Sequence, residues 1–163
     1  RESNVSGTSV FAGIEGSRPI LVEVQALIAP SNMPTPRRSV VGWDSNRLSM
    51  ILAVLSVRYG LNLSSYEVYL SIAGGIKITE PAIDLAVAAA IISASLNKPL
   101  PEASIFFGEI GLSGEVRKSS QADMRIKEAV KLGFNRVICA PHSNISGPNI
   151  TTISHIKQLK GLI

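Results

Sequence analysis

A layered α/β domain is what this sequence predicts, and three observations predict it. Apolar residues make up 45% of the 163 and aromatic residues only 5%, so the core is built from Ile, Leu, Val and Ala, which suits helices laid on a sheet. Short β-branched runs bounded by Gly and Pro alternate with segments of helical period. The length fits one domain that buries roughly two thirds of its unfolded surface, and no repeat, low-complexity tract or linker divides residues 1–163.

The first third reads as extended chain. Strands are expected over Ser9–Ile14 and Leu21–Ile28, separated by the turn Glu15-Gly16-Ser17-Arg18-Pro19, and polar Glu23 and Gln25 alternate with apolar neighbours as on a strand with one wet face. Pro30 to Pro36 is a loop, followed by the basic pair Arg37-Arg38 where loop meets a short strand ending at Val41. Asp44 or Ser45 caps a helix running to about Tyr59, because Leu48, Ile51, Leu52 and Leu55 share one face and Gly60 follows.

A strand over Glu67–Ala73 leads into Gly74-Gly75, read as a tight turn with unusual φ. Pro81 opens a second helix from a favoured first-turn position. That helix, Ala82–Leu96, is apolar nearly all round and so belongs between layers. Phe106-Phe107 and Glu115-Val116 mark two short strands. A third helix, Gln121–Leu132, buries Ala122, Ile126, Ala129 and Val130, shows Arg125, Lys127, Glu128 and Lys131 to solvent, and ends at Gly133; Arg136–Cys139 is the last strand.

Several functional classes lack their residues. The single cysteine, Cys139, excludes an internal disulfide and a multi-cysteine zinc site, and fits a reducing, cytoplasmic setting. The apolar run Leu85–Ala94 is about half of what a membrane span needs, so no membrane partner is expected. Arg1-Glu2-Ser3-Asn4 shows neither a charged n-region nor an apolar h-region, so the chain reads as a fragment of something longer without a signal peptide. No Gly-x-x-x-x-Gly-Lys-Ser/Thr loop is present, and Gly74-Gly75 lacks the spacing of a dinucleotide fingerprint. His142 and His155 stand without a second ligand at metal spacing. Asp84, in the first turn of a helix, complements its dipole. A net charge of +4 permits a polyanionic partner without demanding one.

Seven local patterns then carry a family resemblance. Leu21-Val22-Glu23-Val24-Gln25-Ala26-Leu27, Pro36-Arg37-Arg38, Gly42-x-Asp44-x-Asn46-Arg47, Ala73-Gly74-Gly75-Ile76-Lys77, Glu80 through Ala86, Gly108 through Arg117, and Lys131-Leu132-Gly133-Phe134 run in the order found in the RadA/Sms family of bacterial DNA repair and recombination ATPases. The resemblance covers nearly the whole chain from about Ser6. It implies upstream zinc-binding and RecA-like ATPase domains absent from this sequence, which would take Zn, ATP and Mg, and a hexameric ring acting on branched DNA.

The same region is more distantly similar to the proteolytic domain of Lon, which implies a Lon-protease or ribosomal-protein-S5-domain-2-like fold. Lon chemistry needs a serine nucleophile and a lysine base. The resemblance puts the serine position on Ala82 and the lysine position on or beside Asp123, so both halves of the dyad are missing and no catalytic residue is expected. Lys118, Ser119 and Ser120 read as a polar turn and cap before the third helix. What remains is basic surface: Arg37, Arg38, Arg47, Lys77, Arg117 and Lys118 all lie in loops or at element ends. With few aromatics available for base stacking, the expected function is DNA binding through phosphates together with homo-oligomeric assembly. A Lon-like peptidase with a displaced dyad and a pure oligomerisation scaffold are the rivals.

Overall fold

Strands and helices fall along the chain largely where their patterns put them, over the residues 5–163 that the computed structural model describes. The order is β1 (Thr8–Glu15), β2 (Arg18–Pro30), β3 (Arg38–Val41), α1 (Ser45–Val54), β4 (Tyr66–Ile72), α2 (Asp84–Leu96), β5 (Ser104–Phe106), β6 (Glu109–Ile110), β7 (Val116–Arg117), α3 (Ala122–Lys131), β8 (Arg136–Cys139) and β9 (Ile150–Thr152). The opening tetrapeptide, on which the fragment reading rests, lies outside the described residues.

Seven strands form one sheet in the order β3-β4-β2-β1-β5-β8-β9, and β6 pairs with β7 in a separate hairpin. β2 is antiparallel to β1 and β4, whereas β3 runs parallel to β4, β5 to β1, β8 to β5 and β9 to β8. Every strand of the large sheet except β2 therefore points the same way, and their carboxyl ends gather at one end of the domain. In open α/β sheets that end is where ligands bind. The β1–β2 register sets Val22 and Val24 in the core and leaves Gln25 exposed, as the alternation predicts.

The core centres on α2. Every residue from Asp84 to Ser93 is buried, and each large aliphatic side chain among them contributes roughly 1.5–3 kcal/mol. The helix packs on β1 and β2, where the Ser9 hydroxyl donates to the Ala86 carbonyl at 2.6 Å. α1 starts as expected, with the Asp44 carboxylate accepting from the Asn46 amide. It continues through a π-helical turn, Leu55–Tyr59, to Gly60 at φ 91°.

Several expectations change. β2 extends beyond Leu21–Ile28 at both ends, because both of its neighbours pair along its length. β6, β9 and a short helix at Ile156–Gly161 carry patterns too short to read as elements. Ser119 and Ser120 do not cap α3; Gln121 does so at φ 54° without a side-chain bond. Val130, expected inside, is 41% exposed.

Arg125, expected in solvent, is 1% exposed. Its guanidinium donates to the Ser120 carbonyl at 2.9 Å and the Ala12 carbonyl at 2.8 Å, pairs with Glu80, and lies 5.5 Å from the Phe107 ring centroid. Periodicity treats arginine as a solvent residue; partners distant in sequence overrule it. Arg125→Ala is expected to lower the unfolding free energy by about 3 kcal/mol, because Glu80 and a strand carbonyl lose their donor together. Urea denaturation checks this, and a loss below about 1 kcal/mol would show that the buried cation is not holding α3 to the sheet.

Candidate functional site

The carboxyl ends of β3, β4 and β5 present three loops that carry the charged residues of interest: 42–47, 73–84 and 107–117. Gly42 makes the first possible. It sits at φ 85°, and a Cβ there would lie 2.7 Å from the Ile76 carbonyl oxygen and 2.8 Å from the Ile72 side chain. That close approach lets the Ile78 amide donate to the Gly42 carbonyl at 2.9 Å, which joins the first loop to the second. Gly74 and Gly75, at φ 87° and 67°, make the expected tight turn that projects Ile76 and Lys77 outward.

The second loop turns through Pro81–Ile83 into α2. Ala82 is 5% exposed. Its carbonyl accepts from the Gly108 amide at 2.7 Å, and the Gly108 carbonyl accepts from the Leu85 amide at 3.0 Å, so the third loop is pinned to the start of α2. Asp123 is exposed in the first turn of α3, and it lines a different cavity from Ala82. The Ser119 hydroxyl oxygen is buried with no hydrogen-bond partner among the described residues. The Ser119 amide donates to His142 Nε2 at 3.0 Å, while His142 Nδ1 donates to the Ala140 carbonyl at 2.6 Å. His155 likewise holds backbone, accepting from the Lys157 amide and donating to the Ser113 carbonyl. Both histidines are structural clasps.

Asp84 is the buried acid of the site. Its side chain has no exposed surface, pairs with Arg47 through both oxygens, and accepts from the Ile110 amide at 3.0 Å. Burial pushes its carboxyl above the usual carboxylate range, and Arg47 and the Ile110 amide partly offset that push. The bond to Asp84 in turn raises the Arg47 pKa. Asp84 thus does more than complement a helix dipole, since it ties α1, α2 and β6 at one point. Cys139, by contrast, is a core thiol, pushed up to about 12 by burial.

The six sequence-predicted cations separate into two groups. Arg37 and Arg38 sit at the amino end of β3, four strand residues from the rest. Arg37 is exposed, while Arg38 donates to the Leu63 carbonyl at 3.0 Å and to the Tyr66 carbonyl, so its charge is anchored but not neutralised. Arg47, Lys77, Arg117 and Lys118 lie at the carboxyl end. Arg47 is committed to Asp84, and Arg117 to Glu115 at 3.0 Å and Glu109 at 3.5 Å. Lys77 and Lys118 are exposed and make no ion pair among the described residues. A cleft of about 500 Å³ between Trp43, Arg47, Lys77 and Pro81, and a smaller one of about 180 Å³ between Ala82, Glu109, Lys118 and Arg125, flank the Pro81 turn. Sequence reasoning missed Glu80 and Glu109, because nothing local ties a carboxylate to an arginine tens of residues away.

Comparison with known proteins adds two findings. Residues 44–144 match the family ChlI, described as subunit ChlI of Mg-chelatase. The chain is 69% identical to DNA repair protein RadA of Rickettsia felis over all of its length and 36% of that protein. It is 55% identical to DNA repair protein RadA of Brucella abortus over 83% of its length and 29% of that protein. It is also 49% identical to DNA repair protein RadA of Bacillus subtilis, over 90% of its length and 32% of that protein. The chain spans about a third of the length of these relatives. No helix among the described residues is long and apolar enough to cross a membrane.

The Asp84–Arg47 pair yields a pH-dependent expectation. Removing Arg47 strips away influences that lower the Asp84 pKa, which then rises further above the unfolded value of about 3.9. Between those two values the folded state holds a proton that the unfolded state has released, so the stability of Arg47→Ala falls as pH rises. Its deficit against the parent is expected to be about 3 kcal/mol near pH 7 and distinctly smaller near pH 4. Urea melts at the two pH values check it, and a deficit that does not grow with pH would contradict the assignment of Asp84 as a buried carboxylate held by Arg47.

Proposed function

We propose a function from one premise: the chain belongs to the family described as subunit ChlI of Mg-chelatase, and the longer proteins that match it over 83% or more of its length are DNA repair proteins. In this reading the chain is a non-catalytic DNA-binding and assembly domain of a DNA repair and recombination protein, built on the Lon-protease, ribosomal-protein-S5-domain-2-like fold. ATP, magnesium and zinc belong to domains upstream of it, and the site here takes only nucleic acid.

The observation that carries the reading is the placement of charge along the edge strand β3. Arg37 stands exposed before its first residue, and Lys77 stands exposed on the loop bonded to Gly42, just beyond its last. Neither pairs with a carboxylate among the described residues. Arg38 adds a second undiminished charge at the first end. A phosphate backbone lying along this edge meets cations at both ends without any demand on base identity, which suits recognition by phosphate contacts. Lys118 extends the path toward the α2 turn. Peptidase chemistry has no support at the Pro81 turn, where Ala82 supplies no hydroxyl and Arg125 is fully engaged.

Assembly into a ring is part of the same proposal. The α3 face loses Arg125 as a surface residue. Val57 and Leu112, 73% and 68% exposed, instead present apolar surface beside the bond from Arg58 to the Leu112 carbonyl. Sedimentation over a concentration series is expected to show association that Leu112→Asp weakens; a monomer throughout would assign assembly to other domains.

The DNA reading is tested by fluorescence anisotropy over a salt series. Arg37→Ala and Lys77→Ala are each expected to weaken binding to all sequences alike and to flatten the logarithmic salt dependence by about 0.7–0.9. Unchanged affinity and slope in both, with the fold intact by circular dichroism, would remove the β3 edge as the DNA path. The domain is also expected to release no fragments from a fluorogenic peptide, and release blocked by a serine-protease inhibitor would restore the enzyme reading.

A further inference from the structure

Glu109 occupies an unusual position among the charges at the carboxyl end of the sheet. Its Oε2 atom lies 3.7 Å from Arg47 Nη2 and 3.5 Å from Arg117 Nη1, so one oxygen serves two guanidinium groups. Arg47 is already paired with Asp84, and Arg117 with Glu115. The cluster therefore holds one more carboxylate than it holds guanidinium groups. Neither contact of Glu109 is short, and its side chain is 34% exposed, so its position is not explained by a tight structural pair of the Arg47–Asp84 kind. Partly exposed pairs of this kind contribute little to stability. Their effect on the local field is larger: a carboxylate placed between two cations cancels attraction for any other anion at that spot.

We infer that Glu109 is a built-in counter-charge that occupies Arg47 and Arg117 in the absence of nucleic acid and keeps this end of the domain from gripping phosphodiesters on its own. The inference rests on the DNA-binding reading and adds a regulatory element to it. Carboxylate and phosphate oxygens compete for the same N–H groups of Arg117, which at 52% exposed remains reachable from solvent. Lys77 and Lys118 flank the cluster and are exposed. Loss of the Glu109 charge frees Arg117 Nη1, leaves Glu115 as that guanidinium's remaining carboxylate, and removes the negative excess that opposes Lys77 and Lys118 around the Pro81 turn. A phosphate backbone laid along β3 then finds an additional contact at the carboxyl end.

The test compares Glu109→Gln with the parent and with Glu102→Gln, by anisotropy on mixed-sequence single-stranded and duplex oligonucleotides over a salt series. Glu102 is exposed before the first residue of β5, at the far end of that strand, and its substitution changes net charge by the same amount. Glu109→Gln is expected to bind severalfold more tightly at low salt, with a logarithmic salt slope steeper by about 0.7–0.9, one further phosphate neutralised. Glu102→Gln is expected to stay near the parent. In an Arg117→Ala background the gain from Glu109→Gln should shrink.

Equal gains from Glu102→Gln and Glu109→Gln would reduce the effect to overall charge and overturn the inference. So would a folded Glu109→Gln variant with parental binding, whether or not the parent binds DNA. If that happens while Arg37→Ala and Lys77→Ala still lose affinity, the counter-charge role falls and the β3-edge reading stands. If Glu109→Gln gains affinity while those two variants lose none, the counter-charge role stands and the β3 edge falls.

Discussion

Asp84 carries a carboxylate with no exposed surface at the first turn of the most buried helix, and most of the architecture at the carboxyl end of the sheet follows from satisfying it. Leaving that charge unpaired would cost several kcal/mol, so two groups converge on it through three hydrogen bonds: the Arg47 guanidinium through two, and the Ile110 amide through one. Each comes from a different element. α1 must therefore sit with its first turn against α2, and the β6–β7 hairpin must fold back over the Pro81 turn. The Gly108 amide and carbonyl, bonded to Ala82 and Leu85 on either side of Asp84, fix the same approach from the backbone.

A second buried ion pair does comparable work for α3. Arg125 reaches from that helix to the Ala12 carbonyl on β1 and to Glu80. Glu80 in turn accepts from the Ile14 amide at 3.1 Å. The loop that carries Lys77 is thereby held at one end by Glu80 and at its middle by the Ile78–Gly42 bond. Rigid support on both sides of an exposed cation reduces the conformational entropy lost when it meets an anion.

The two ion pairs also explain why positive residues and positive surface are different things in this protein. Net charge is +4, yet Arg47, Arg117 and Arg125 are taken up by carboxylates. Of the six cations singled out in the sequence, Arg37, Arg38, Lys77 and Lys118 are left without a carboxylate partner among the described residues. Those four lie at the two ends of β3 and around the Pro81 turn.

The sequence by itself determined the layered α/β class, the three helices, most strands and the Gly74-Gly75 turn. Each of these is written in local pattern: period 2, period 3.6, a capping Asp44, a terminating Gly60, or the identity of a single residue. The tertiary structure alone decided that Arg125 is interior, that Asp84 is clamped, and which of the six cations stay uncompensated. An arginine reads as solvent-facing in any helical pattern, because periodicity weighs the cost of burying a charge without knowing whether a partner will arrive. Here Glu80 lies 45 residues from Arg125 and Asp84 lies 37 from Arg47. Those separations have no signature along the chain, and the Coulomb attraction that stabilises each buried pair exists only once the fold has brought its members together.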